Sequence, residues 1–341
     1  MISSKNIFTS LIWKFLERSG TQVVQFVVSI ILARLLSPED FGVIALVLIF
    51  IQLAHVFIQS GFNSALIQKK DADSLDFSSV FWGSLVVTIF LYALLFFSSP
   101  FIASYYERPI LEPVLRVLGL TLFLGVFNSI QEAFIARNML FKKLFYRSLG
   151  AIIPSGILGI TLAYLGFAVW ALVAQQLSNA FFICAIMWFT VKWRPEFLFS
   201  FNRLKSLFSY GWKLLVSALM DVGYNNLRSL VIGKMFTPAT LGFYTRGNQF
   251  PNLIISNINS SIQSVMLPAL SKEQDDLIKV KKMTRRAIVT SSFIILPLMA
   301  WLAAVAEPLV LIVLGKKWLP CVPFLQIYCL IYALWPIHTS N

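Results

Sequence analysis

Apolar runs of about 18 residues or more, separated by short polar stretches, recur from one end of the chain to the other. Each is long enough to cross about 30 Å of hydrocarbon at 1.5 Å per residue. Hydropathy and punctuation together predict spans at 11–34, 41–67, 77–99, 111–135, 148–165, 167–191, 207–233, 241–269, 287–306 and 321–339. The fifth and sixth are separated only by YLGFAVW, where Gly166 supplies a tight turn. No stretch alternates for long with the two-residue period of a membrane β-strand. The expectation is an all-α polytopic membrane protein with ten spans present.

Four of the runs carry polar residues at helical spacing. In the first, Lys14, Arg18, Thr21, Gln22, Gln25 and Ser29 fall within a sector of roughly 100°. In the seventh, Lys213, Ser217, Asp221, Asn225 and Arg228 fall within roughly 120°. The second run has Gln52, His55, Gln59 and Asn63, and the eighth has Gln249, Asn252, Ser256, Asn259 and Gln263. Polar side chains are costly against lipid and turn to a bundle interior or a water-filled cavity. Single amides and hydroxyls also hydrogen-bond across packed helices without binding anything. Four aligned stripes with ionisable members favour a shared hydrated cavity as the substrate site.

Lys14, Arg18, Lys213 and Arg228 against Asp221 give that cavity a charge of +3, or +2 if Glu17 at the stripe edge is counted. A cationic site suits phosphate or an acidic sugar, because Lys and Arg make charge-assisted hydrogen bonds to such oxygens. The amides suit sugar hydroxyls, which need donors and acceptors. Lys14 and Lys213 near helix ends can alternatively snorkel to the interface. His55 titrates near neutral pH but, alone in a stripe, is first a hydrogen-bond partner. Asp221 is the better candidate for exchanging a coupling ion, H+ or Na+.

The chain repeats itself. At an offset of 200, ARLLSPEDFG (Ala33 to Gly42) meets GKMFTPATLG (Gly233 to Gly242), Gln52 meets Asn252, Gln59 meets Asn259, Ser60 meets Ser260 and Asn63 meets Gln263. Two repeats in one orientation are the parallel-repeat layout of transporters. The predicted domains are a six-helix bundle at 1–195, a cytoplasmic linker at 196–206 and a second, incomplete bundle of four spans at 207–341. Leu115–Ser129 aligns with Leu325–Thr339, so the second bundle is expected to stop in its fourth span. The decapeptide itself reads as a joint between paired helices: a cation at a helix end, then Ser-Pro or Thr-Pro to start the next. Glu39 and Asp40 read as first-turn residues rather than a catalytic pair.

Composition agrees with a membrane protein: 58% of residues are hydrophobic and 13% charged, where a soluble domain has about a quarter charged. The net charge of +13 would suggest nucleic acid in a soluble protein. Here it is mostly a topology signal. Seventeen cations fall at the N-terminus and in every second loop, including Arg137, Lys142, Lys143, Arg147, Lys192 and the run KVKKMTRR (Lys279 to Arg286), against six in the other loops, Arg246 among them. That places the N-terminus in the cytoplasm. The basic run has anionic lipid as a second reading. The first run contains Lys14, Glu17 and Arg18 with no Ala-x-Ala site after it and reads as a retained span. Three cysteines and two histidines support neither a disulfide framework nor a zinc site.

The segments WKFLERSGTQVVQFVVSIILARLLSPEDFGVIAL, FIQSGFNSALIQKKD, GFAVWALVAQQL, WRPEFLFS and LGFYTRGNQFPNLIISNINSSIQSVMLPALS resemble the Wzx-type polysaccharide exporters. Within the multidrug/oligosaccharidyl-lipid/polysaccharide superfamily they are most similar to the colanic-acid and teichuronic-acid branch. The resemblance implies two six-helix bundles in a V, alternating access, coupling to an ion gradient, and transfer of undecaprenyl-diphosphate-linked oligosaccharide units across the bacterial inner membrane. It implies no cofactor beyond the coupling ion. It implies as partners the lipid-linked substrate, membrane lipid and other polysaccharide-assembly proteins, with no nucleic acid. The competing readings are a drug or cation antiporter of the same superfamily, disfavoured by the cavity charge, and an inactive truncated remnant. A membrane glycosyltransferase or polymerase is disfavoured because Ala239 and Thr240 replace the acidic pair in the repeat.

Overall fold

The computed structural model describes residues 4–59, 66, 73–137, 141–191, 193–273 and 276–338. Among them every regular element is a helix. The long helix α1 (Ser4–Leu35) breaks at Leu36 and Ser37 before α2 (Pro38–Gln59). The break is chemical. The Ser37 hydroxyl accepts from the Asp40 amide at 3.2 Å, and the Asp40 carboxylate accepts from the Ser37 amide at 3.0 Å and its hydroxyl at 2.6 Å. This is a capping box with Asp in the glutamate position, and Pro38 sits where a missing N–H costs nothing. Asp40 therefore starts a helix. The same break recurs between α8 (Phe201–Met235) and α9 (Pro238–Lys272), at the offset of 200 that the sequence repeat predicts.

Between these pairs lie α3 (Ser74–Tyr105), α4 (Leu111–Gly119), α5 (Thr121–Arg137), α6 (Phe141–Tyr164) and α7 (Val169–Thr190). The predicted fourth span is α4 and α5 together, interrupted at Leu120. The α6–α7 turn closes as expected at Gly166, whose φ is +82°. Phe167 N–H donates to Leu162 O at 3.1 Å and Gly166 N–H to Ala163 O at 3.1 Å, a Schellman motif that needs the left-handed residue glycine adopts freely.

Among the described residues, seven helical segments are long and apolar enough to cross a membrane: Pro38–Gln59, Ser74–Tyr105, Leu111–Ile135, Lys142–Tyr164, Val169–Thr190, Ile278–Ala304 and Lys316–Ile337. The three predicted spans outside this set correspond to α1, α8 and α9. Their lengths of 32, 35 and 35 residues suffice, and their polar stripes dilute the apolar composition.

The chain forms two compact units, Met1–Pro238 and Ala239–Asn341. In the first, α1 lies along α6, with Trp13 edge-on to Phe145 at 5.3 Å, and α6 pairs with α7. Helix α8 packs on α2 and α3 in this unit, whereas the repeat groups it with the residues after 207. Its anchor is the segment ahead of it. Ser78 accepts from the Glu196 amide at 3.1 Å and Ser79 from the Ser200 amide at 2.9 Å. Trp82 Nε1 donates to Glu196 O at 2.9 Å, and its ring stacks on Phe197. Arg203 then bridges Asp73 at 2.8 Å and the fully buried Asp76 at 3.2 Å. The predicted linker is thus a strap fastened to α3.

The second unit holds α9, α10 (Leu277–Ala304), α11 (Ala306–Val313), a 3-10 turn at Lys316–Cys321, α12 (Val322–Ala333) and α13 (Trp335–His338). Helix α10 packs on α12 and α13. The core is aromatic. Trp318 is completely buried beside Phe243, and Tyr244, Tyr328, Tyr332 and Trp335 form a continuous row.

Candidate functional site

The first unit contains three of the four predicted stripes. Two of them lie on the paired helices α2 and α8. Helix α8 packs against α2, and Asn226 Nδ2 donates to Gln52 Oε1 at 3.5 Å. The residue on α8 that makes this contact is Asn226, while its neighbour Asn225, the predicted one, donates along its own helix to Asp221 Oδ1 at 3.0 Å. One residue is a rotation of 100°, so which asparagine faces α2 depends on how the helices are rolled together. Gln52, Gln59, Lys213, Asp221, Asn225 and Arg228 are exposed on these helices, as are Arg18 and Gln25 on α1; Gln22 is half-buried.

On α1 the apolar side is spent on α6, where Val28, Leu32 and Ala33 are buried. Glu17, left at the stripe edge by its helical angle, accepts from Ser148 of α6 at 2.7 Å. Arg147 pairs with Glu132 of α5 and donates to the Ser148 hydroxyl at 3.4 Å. These four residues tie α1, α5 and α6 together within the apolar layer. Arg147, expected from the sequence among the loop cations, lies inside α6 with its side chain 11% exposed, and its partner Glu132 carries no sequence signal of the pairing.

His55 lies half-buried against α5, so close to Gly125 that a Cβ there would fall 2.5 Å from its Cε1. Its Nδ1 is buried without a hydrogen-bond partner, and so is Asn128 Oδ1, one turn beyond Gly125 on α5. Each is a buried polar atom of the kind that holds a proton or a polar ligand atom.

In the second unit Asn252 is exposed on α9 and Asn259 is half-buried. Gln249 accepts from Arg246. Arg246, counted from sequence with the outer loop cations, is instead buried in α9 with its guanidinium 5.8 Å from the Trp318 ring centre. The side chains of Lys14 and Gln263, and residue Asn63 altogether, lie outside the described residues. No cluster of metal-ligating side chains occurs among the described residues.

A Gln–Asn contact between two packed membrane helices, with Lys213, Asp221, Asn225 and Arg228 exposed along one of them, is chemistry for a hydrated path through an apolar layer. The sequence model for the family described as "Polysaccharide biosynthesis protein" matches residues 31–323. The chain belongs to that family. Among curated relatives, this family member is 26% identical over 334 residues to the succinoglycan biosynthesis transport protein ExoT of Rhizobium meliloti (strain 1021). That match covers 96% of this chain and 67% of the relative. It is 26% identical over 347 residues to the teichuronic acid biosynthesis protein TuaB of Bacillus subtilis (strain 168), covering 99% and 70%. It is 25% identical over 322 residues to the lipopolysaccharide biosynthesis protein WzxC of Escherichia coli (strain K12), covering 92% and 64%. The chain therefore spans about two thirds of the length of these relatives.

Among solved structures, the lipid II flippase MurJ in its inward closed conformation superposes with a TM-score of 0.75 at 16% identity, over 96% of this chain and 74% of that one. An inward-facing multidrug resistance MATE family transporter of the MOP superfamily superposes with a TM-score of 0.70 at 17% identity, over 94% and 79%. At these identities the likeness is one of fold. The fold is that of the MOP-superfamily transporters, and the family member is a multi-pass membrane protein.

Proposed function

We propose that this protein is a flippase that carries undecaprenyl-diphosphate-linked oligosaccharide repeat units across the bacterial cytoplasmic membrane for exopolysaccharide, O-antigen or teichuronic acid synthesis. The observation that carries the reading is the seam where α2 and α8 meet, with Gln52 against Asn226 and with Arg228, Asp221, Asn225 and Lys213 exposed on the same helix. Amides pair with sugar hydroxyls, and the guanidinium of Arg228, like that of Arg18 on α1, pairs with phosphate. Membership of a polysaccharide biosynthesis family, and relatives named as a succinoglycan transport protein and a teichuronic acid protein, support the substrate class.

The acidic residue Asp40 is used as a helix cap, and a relative named as a transport protein and solved transporters of the same fold support transport. The protein acts as a transporter rather than an enzyme. Its N-terminus is cytoplasmic by the distribution of loop cations. Movement is coupled to H+ or Na+, with Asp221 as the carboxylate that exchanges the ion and His55 as a second proton-binding group. Other membrane proteins of polysaccharide assembly are its partners.

A likeness of fold to multidrug transporters raises the alternative of a drug or cation antiporter. The cationic seam opposes it, because a cationic drug wants carboxylates. The test is Arg18→Ala and Arg228→Ala in a strain lacking its own exporter. Both substitutions should abolish polymer export while leaving the amount of membrane-inserted protein unchanged. Wild-type export from both variants would refute the charge argument, and extrusion of cationic dyes without polymer export would establish the antiporter.

A further inference from the structure

The basic run at the start of α10 plays no part in the proposed transport seam. It borders a groove of about 770 Å³ between α9 and α10, wholly within the second unit. The walls are apolar, with Ile258, Ile262 and Met266 on α9 and Met283, Ala287 and Ile294 on α10. Two polar side chains at the inner end are satisfied by their own helices: Asn257 Nδ2 donates to Leu253 O at 2.8 Å, and Ser291 Oγ to Ala287 O at 2.6 Å. Arg286 is the charged member of the lining, and it lies at the end nearer the turn that joins the two helices.

Two further observations say what fits. From Met283 to Ile294 the α10 wall rises about 16 Å at 1.5 Å per residue, close to half of the ~30 Å hydrocarbon layer. The groove has the depth of one leaflet, with its charged end at the loop side. The cations also divide into two kinds. Lys279 is held by Glu273 at 3.2 Å and Asp276 at 3.6 Å, whereas Lys282, Arg285 and Arg286 have no carboxylate partner among the described residues. Lys282 and Arg286 are one turn apart on one side of the helix and can hold the same anion.

We propose that this groove seats one anionic glycerophospholipid of the loop-side leaflet, with its phosphate between Arg286 and Lys282 and an acyl chain along Met283, Ala287, Ile262 and Ile258. Asn257, Thr290 and Ser291 are the uncharged polar members of an otherwise apolar lining, too few to pair the successive amides of a peptide backbone. A polyprenyl chain longer than one leaflet would have to leave it. Acyl chains meet as much apolar contact in the bilayer as in the groove, so the head group supplies the selectivity. At about 1 kcal/mol per cation, two cations give a preference of roughly thirty-fold over a zwitterionic lipid of the same chains.

The experiment is native mass spectrometry of the purified full chain in neutral detergent, titrated with phosphatidylglycerol or phosphatidylcholine of identical chains. One phosphatidylglycerol should bind roughly thirty-fold more tightly than phosphatidylcholine, and the preference should shrink as salt rises. Arg286→Gln should cut the preference roughly five-fold, and Lys282→Gln roughly five-fold more. Ile262→Trp, which fills the groove, should abolish binding of both lipids with circular dichroism unchanged. If that variant misfolds, the two exposed Gln variants still decide the matter. Equal binding of the two lipids, or an unchanged preference in both Gln variants, overturns the proposal. So does displacement of phosphatidylglycerol by an equal concentration of polyprenyl phosphate, which would make a prenyl carrier the occupant. Export of polymer does not enter the readout, so failure here leaves the transport reading to its own test.

Discussion

Gly42, the last residue of the repeated decapeptide, is expected to tolerate no side chain. A Cβ there would fall 1.8 Å from the carbonyl oxygen of Pro238, 2.5 Å from its carbonyl carbon and 3.0 Å from its Cα. Carbon and oxygen ordinarily approach to about 3.3 Å, so Gly42→Ala creates an overlap of about 1.5 Å. The Cβ is fixed by its own backbone and the Pro238 atoms are backbone, so no rotamer change relieves the contact. The start of α2 and the residues that follow α8 would have to part by that distance. The end of α8 is held by Lys234, whose Nζ donates to Tyr105 O at 2.6 Å and pairs with Glu107 at 3.1 Å, so parting strains those bonds as well. Overpacking costs about 1–3 kcal/mol, and a rigid backbone contact belongs at the upper end, about 3 kcal/mol. The assay is equilibrium unfolding of the purified protein in SDS, followed by tryptophan fluorescence. Glu39→Ala, an exposed change in the same first turn, is the control and should shift stability by less than about 0.5 kcal/mol. A Gly42→Ala protein within about 0.5 kcal/mol of wild type would show that the two joints do not touch in the folded chain, and the reasoning would fail.

The ionic cluster of α1, α5 and α6 predicts that Glu132→Gln, which leaves the mostly buried Arg147 without its carboxylate, costs about 2 kcal/mol. In the same SDS titration, an Arg147→Met, Glu132→Leu double variant should recover most of that loss, and a double variant worse than the single one would contradict the assignment. The strap predicts a pH effect. The Asp76 amide donating to Asp73, with Arg203 second, holds the Asp73 carboxyl below its ordinary 3.8. A depressed folded value means that stability is present above the unfolded value and is lost as pH falls through the folded one. Amide protection factors in residues 194–200, with the intrinsic pH dependence of exchange divided out, should therefore fall below about pH 4, and Asp73→Asn should remove most of that pH dependence.

Where the information is local, it was legible in the chain. The two joints at Ser37-Pro38 and Thr237-Pro238, the Gly166 turn and the segmentation into apolar helices depend on capping, on φ preferences and on hydropathy, all properties of a few adjacent residues. Helical periodicity likewise assigns the stripe residues to a face of each helix without naming its neighbour. The capping box at Asp73 and Asp76 is equally readable from the spacing of the two acids.

What only the tertiary structure decided is which neighbour each face receives. Asn226 rather than Asn225 reaches Gln52 because the roll of α8 on α2 is set by every residue in their interface. Arg246 sits buried against Trp318 and Gln249, where a charge count assigns it to a loop, because the aromatic core of the second unit closes over it. Arg147 and Glu132 find each other across fifteen residues of sequence, and Ser78 and Ser79 capture a segment more than a hundred residues away. The compact unit consequently ends at Pro238, although the repeat breaks the chain before α8. Local chemistry selects the helices and their polar faces; long-range packing selects the partners of those faces, since burial and unpaired charge have costs only when the surroundings are complete.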